Sequence, residues 1–196
     1  MISQTLFPLL AFAFVTSITP GPNNLMLMAS GANFGFRRTI PHMLGVGLGF
    51  VFMTILMGVG LSSAFDALPI LKDVLTVVSI VYLLWLAWKI ANAAQPKDGE
   101  AAGTPLTFLQ AASFQWVNPK AWSMALSAVT IYTYDDTVFA IIVVAAIFGA
   151  VNIPAVSTWC LLGREMRRFL TNPARLRVFN WFMAGLLVLS LYPVLI

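Results

Sequence analysis

Long apolar stretches alternate with short polar ones along the 196 residues. Each apolar stretch reaches about 20 residues or more, the length at which an α-helix crosses the hydrocarbon of a bilayer. The pattern predicts six spanning helices, near Leu6–Ala32, Ile40–Ala64, Leu68–Ala91, Leu106–Ile131, Val138–Leu162 and Val178–Ile196. Runs this long and continuous favour helices over a barrel. The longest polar interval, "NAAQPKDGEAAGT" at Asn92–Thr104, reads as a flexible linker. It divides a single transmembrane transporter domain, residues 1–196, into repeat one (1–91) and repeat two (105–196). The opening "MISQTLFPLLAFAF" has no basic residue before its apolar run, so a retained first helix is expected rather than a cleaved leader.

Two of the apolar runs are interrupted near their middles. "TPGPNN" at Thr19–Asn24 breaks the first, and "NPK" at Asn118–Lys120 breaks the fourth. Proline removes a backbone donor and pushes the preceding residue out of helical geometry. Gly21, between two prolines, is expected to permit the bend. Asn118 is a favoured N-cap and Pro119 a favoured first helical residue. Each interrupted span therefore reads as two half-helices, the second starting near the bilayer midplane. Aligning Pro22 on Pro119 also brings Ser30 onto Ser127. Because three spans is an odd number, the second half would enter the membrane in the opposite direction. The expected fold class is an all-α membrane protein with six transmembrane helices in a 3+3 inverted repeat and interrupted first and fourth helices.

Composition supports a lipid solvent. The chain is 60% hydrophobic and 9% charged, against about 25% charged in a soluble domain. The net charge of +4 does not point to nucleic acid, because the basic residues sit between apolar runs. Arg37, Arg38, Lys89, Lys97, Arg164, Arg167, Arg168, Arg175 and Arg177 share one side of an alternating six-span arrangement. That asymmetry makes their side cytoplasmic and both termini external.

The interruptions carry the candidate chemistry. A half-helix N-terminus presents unpaired N–H groups and partial positive charge, a ready site for an anion such as a carboxylate. With inverted repeats, two such ends would converge. Lys120 is the second clue: an ammonium far from either aqueous phase and close to a helix N-terminus is unfavourable without a partner. A substrate carboxylate is the partner expected; snorkelling or capping of backbone carbonyls is the competing explanation. The candidate substrate-binding residues are Pro20, Gly21, Pro22, Asn23, Asn24, Gln115, Asn118, Pro119, Lys120 and Asn152. Gln110, Ser113 and Lys120 fall on one helical face if the break is ignored, and that face is expected to line the cavity. Gly45 and Gly49 fit close helix packing. Asn152 reads equally as a cavity residue or as an interhelical hydrogen-bond partner. His42 is weak evidence for proton transfer. One cysteine (Cys160), one histidine and no intramembrane carboxylate make a poor metal site, and no cofactor motif is present.

At these residues the chain resembles the lysine-exporter (LysE/RhtB) family of bacterial amino-acid exporters. "TPGPNN", "GFRR" and "GVGLGF" resemble its first signature, "YLLWLAWKI" its third-span ending, and "FQWVNPKAW" its second signature. "PGPNN" and "LAWKI" are most like the cysteine/O-acetylserine exporter branch. Ser79-Ile80-Val81 departs from the family's small residues before the Tyr-Leu of span three, so substrate identity does not transfer with the resemblance. The resemblance implies a bacterial inner-membrane exporter, coupled to the membrane gradient by proton antiport and assembled as a homodimer. The function expected is secondary export of a small neutral amino acid or derivative by alternating access. A metal-cation exporter and a channel-like pore are the alternatives. An enzyme is not expected, since no nucleophile and base stand in a recognisable motif.

Overall fold

A computed structural model describes residues 2–61, 67, 70–93, 103–134 and 137–192. The elements in chain order are α1 (Ile2–Ile18), α2 (Pro22–Phe34), α3 (Phe36–Leu56) with a wider π turn at Met57–Leu61, and α4 (Ile70–Ala91). They continue with α5 (Phe108–Phe114), a tight 3-10 turn (Gln115–Val117), α6 (Pro119–Tyr132), α7 (Val138–Arg167) and α8 (Pro173–Leu189). Every regular element among the described residues is helical. Most of the expected linker, 94–102, lies outside the described residues, as do Lys97, Asp66, Asp135 and Asp136.

Three helical stretches are long and apolar enough to cross a bilayer: Phe36–Gly60, Asp73–Ala91 and Val138–Arg167. The pair Thr5–Ile18 and Pro22–Phe34, bent by 54° at its break, passes as a fourth if taken as one span. The other two expected spans are shorter pieces. The fourth is divided into a 7-residue α5 and a 14-residue α6, and α8 has 17 residues. Large apolar side chains cover the outer faces, among them Phe7, Leu109 and Val178, each at least 70% exposed. Exposure on that scale suits hydrocarbon rather than water.

The 30-residue α7 is the spine, about 45 Å long. It starts behind a Thr137 cap and runs through Pro154 as one helix. Helices α1, α2 and α3 all pack along it, α5 packs on α3, and α4 pairs with α8. Glycines set the closest approaches. A Cβ on Gly163 of α7 would stand 2.0 Å from the Met28 carbonyl oxygen of α2, and one on Gly31 would stand 2.1 Å from the Cys160 carbonyl oxygen. Backbone therefore meets backbone at this crossing. Gly45 and Gly49 serve packing, as expected: a Cβ there would lie 2.4 Å from the Phe108 oxygen and 2.6 Å from Ala112 Cα. Asn180, fully buried on α8, exchanges hydrogen bonds with Asn33 of α2 and donates to the Ala93 carbonyl. It joins the α4–α8 pair to the rest.

At the departure Ser79-Ile80-Val81, Ile80 packs against an apolar cluster that includes Leu25 and Met26 of α2 and Phe114 of α5. Val81 is 63% exposed, and Ser79 donates to its own helix at Leu75 O, 2.6 Å.

Candidate functional site

Both interruptions form where the sequence places them. Helix α1 stops at Ile18 and α2 begins at Pro22 with Gly21 as its N-cap, a residue that supplies no side-chain cap. Helix α6 begins at Pro119 behind Asn118, whose Oδ1 accepts from the Lys120 amide at 3.2 Å. Gly21 is not needed for the bend, contrary to the expectation from its flanking prolines. Its backbone is extended (φ −174°, ψ 176°), a conformation open to any residue. What glycine supplies is space for the lysine: a Cβ there would lie 2.7 Å from Lys120 Cδ, and the side chain would have to shift.

Lys120 threads past Gly21 to the broken end of α1. Its Nζ donates to Thr19 O at 2.6 Å and to Pro20 O at 3.4 Å. The expected clash with the α6 dipole is corrected in part, and the ammonium caps backbone carbonyls, the competing explanation. The backbone of Lys120 lies in the first turn of α6, but its ammonium sits at the carbonyl end of α1, where a cation is favourable. Two further donors complete that end. Asn24 Nδ2 reaches Ser17 O (2.8 Å) and Thr19 O (2.9 Å), and Trp159 Nε1 reaches Ile18 O (3.0 Å). A helix that ends inside the protein leaves carbonyls that must be satisfied, and α2, α6 and α7 each supply a donor.

Around this knot lies a narrow, partly open cleft. Gly21, Asn23 and Asn24 line it from the first break, Gln115, Asn118 and Lys120 from the second, and Asn152 from α7. Pro20, Pro22 and Pro119 line an adjoining wider opening, which shares Thr16, Gly21, Lys120 and Met124 with the first. The ten residues singled out from sequence therefore surround two adjoining spaces that share part of their wall. Asn23 and Gln115 bridge the two interrupted spans through reciprocal amide hydrogen bonds of 2.8 and 3.2 Å. Gln115 is fully buried and also donates to Ala111 O. Val46, Phe50, Met124 and Val156 form apolar wall.

The helical-face expectation for Gln110 and Ser113 does not hold. Both are exposed. Gln110 closes a capping box with Thr107 at the start of α5. The 3-10 turn at Gln115–Val117 rotates the chain before α6, so residues on the two sides of the break do not share a face. Thr16, Ser17 and Trp159 were missed by sequence reasoning. The available signal was the same break, read from its carbonyl side. His42, 2% exposed, lines a separate cavity with Ser30, Asn33 and Lys89. Neither of its ring nitrogens has a partner among the described residues.

Comparison with known proteins identifies the lineage. The profile of the LysE type translocator family matches residues 14–191. The chain belongs to that family. As a LysE type translocator it is a membrane transporter and not an enzyme. Similar curated relatives include a protein from Klebsiella pneumoniae named cysteine/O-acetylserine efflux protein, 28% identical over 181 residues and 91% of each chain. Another of that name, from Escherichia coli K12, is 29% identical over 183 residues, covering 90% of both chains. No solved structure gives a significant match to this LysE type translocator.

Proposed function

We propose that this translocator is a secondary exporter of a small neutral amino acid or derivative, of the cysteine or O-acetylserine kind. It would work in the bacterial cytoplasmic membrane with six spans, a 3+3 inverted repeat and both termini outside. The names of the relatives support the substrate class. The observation that carries the reading is the meeting, in one cleft, of the α2 N-terminus, the α6 N-cap and the Lys120 ammonium.

Two helix N-termini and an ammonium offer an arriving carboxylate both dipole and charge. The substrate carboxylate takes the Lys120 ammonium from Thr19 O and Pro20 O. It also accepts from the first N–H groups of α2. Breaking the bond between α6 and the end of α1 frees the two halves to move against each other, which is alternating access at the midplane site. Exchange for protons drives the cycle, and a homodimer is the working assembly. The wall also argues against a metal cation as cargo. Among the described residues its polar lining consists of amides, hydroxyls and an ammonium, with no thiol, imidazole or carboxylate.

The test is counterflow in proteoliposomes. Excess unlabelled substrate inside should accelerate uptake of labelled substrate, which a simple pore does not do. Lys120→Ala should abolish this while the protein still inserts; normal counterflow by that variant would remove the site. An imposed pH gradient should drive substrate movement, and indifference to it would remove proton antiport.

A further inference from the structure

The cleft has one buried acceptor without a donor. Asn152 is 5% exposed and lines the cleft with Lys120. Its Nδ2 donates to Ser17 Oγ at 3.0 Å, tying α7 to α1. That bond accounts for the packing role foreseen for an asparagine in a span. It leaves Oδ1, which has no partner among the described residues. Buried polar atoms are nearly always satisfied, and an orphan on a residue that lines the cleft points to a missing ligand group. The missing group must donate.

Resting on the carrier reading above, we infer that Asn152 Oδ1 accepts a hydrogen bond from the α-ammonium group of the substrate, so that the carrier selects free α-amino acids over their N-acylated forms and over plain carboxylates. Polarity supports this orientation. The α2 N-terminus and Lys120 attract a carboxylate and repel an ammonium, so the two ends of a zwitterion must be held by different elements. Asn152 stands on α7, outside both interrupted spans. Its bond to Ser17 fixes the amide, so the acceptor is held in place before substrate arrives. Among the described residues no Asp or Glu lines the cleft, and Val46, Phe50, Met124 and Val156 supply its apolar side. The third substituent of the substrate is therefore compact and uncharged. An N-acyl group would remove the charge and add bulk against Oδ1. A desamino carboxylate would leave Oδ1 as empty of donors as it is without ligand.

The test uses the full chain in proteoliposomes under reducing conditions. Labelled L-cysteine counterflow is inhibited with unlabelled L-cysteine, N-acetyl-L-cysteine or 3-mercaptopropionate. L-cysteine should inhibit at least tenfold more strongly than the other two, as expected for a hydrogen bond to a charged group. Asn152→Leu should lose about tenfold in affinity for L-cysteine while its weak inhibition by 3-mercaptopropionate is unchanged. Equal inhibition by all three compounds in the intact protein would overturn the role of Asn152 and leave the carrier reading standing. An Asn152→Leu variant that keeps the full preference would also overturn it. Should that variant fail to insert, the inhibition order of the intact protein decides. No counterflow of L-cysteine at all would count against the carrier reading itself.

Discussion

Replacing Gly21 with alanine separates two explanations for the residue at the first break. Built on the observed backbone, the new Cβ stands 2.7 Å from Lys120 Cδ and 3.1 Å from Lys120 Nζ. Carbon atoms prefer separations of about 3.5 Å or more, so the lysine chain must retreat by roughly 0.8 Å. The backbone itself offers no obstacle, being fully extended at Gly21. The retreat loosens the bonds from Nζ to Thr19 O at 2.6 Å and Pro20 O at 3.4 Å. A hydrogen bond from a charged donor contributes about 1.5–3 kcal/mol. With Lys120 only half-buried, solvent screening brings this to about 1–2 kcal/mol. Gly21→Ala should therefore lower the unfolding free energy of the detergent-solubilised protein by about that amount. In a Lys120→Ala background, where nothing is left to displace, the same substitution should cost less than about 0.5 kcal/mol. An equal cost in both backgrounds would refute the steric account and return Gly21 to a role in the bend.

Three further outcomes are expected. Gly163→Ala places a methyl group 2.0 Å from the Met28 carbonyl oxygen, and helix backbone cannot swing aside as a side chain can. A loss of about 1–3 kcal/mol or more should appear as a lower Tm; an unchanged Tm would count against the close crossing of α2 and α7. Asn118→Ala removes the cap on Lys120 N at a cost of about 1 kcal/mol, and substrate affinity should fall severalfold; unaltered affinity would argue against an anion site at the start of α6. Gln115→Leu leaves the Asn23 amide without its partner. A double-mutant cycle with Asn23→Leu should then give a coupling of about 0.5–3 kcal/mol, against none if the two act separately.

The sequence alone determined the helical, lipid-facing class and the places where helices break. These are local properties: apolar run length decides whether a segment spans, and proline with its neighbours decides where the backbone ladder stops. Asn118 and Pro119 took the cap and first helical positions because those preferences depend on a few adjacent residues. Tertiary structure decided which side chains meet at the breaks. That Lys120 crosses to the end of α1, and that Trp159 and Asn24 join it there, depends on residues far apart in the chain meeting across helices. Gln110 shows the limit of a periodic reading, since one 3-10 turn turned its face away from Lys120. Gly21 shows the same limit from the other side: its flanking prolines suggested conformational freedom, while what glycine supplies is space for a lysine ninety-nine positions later, which only packing brings near.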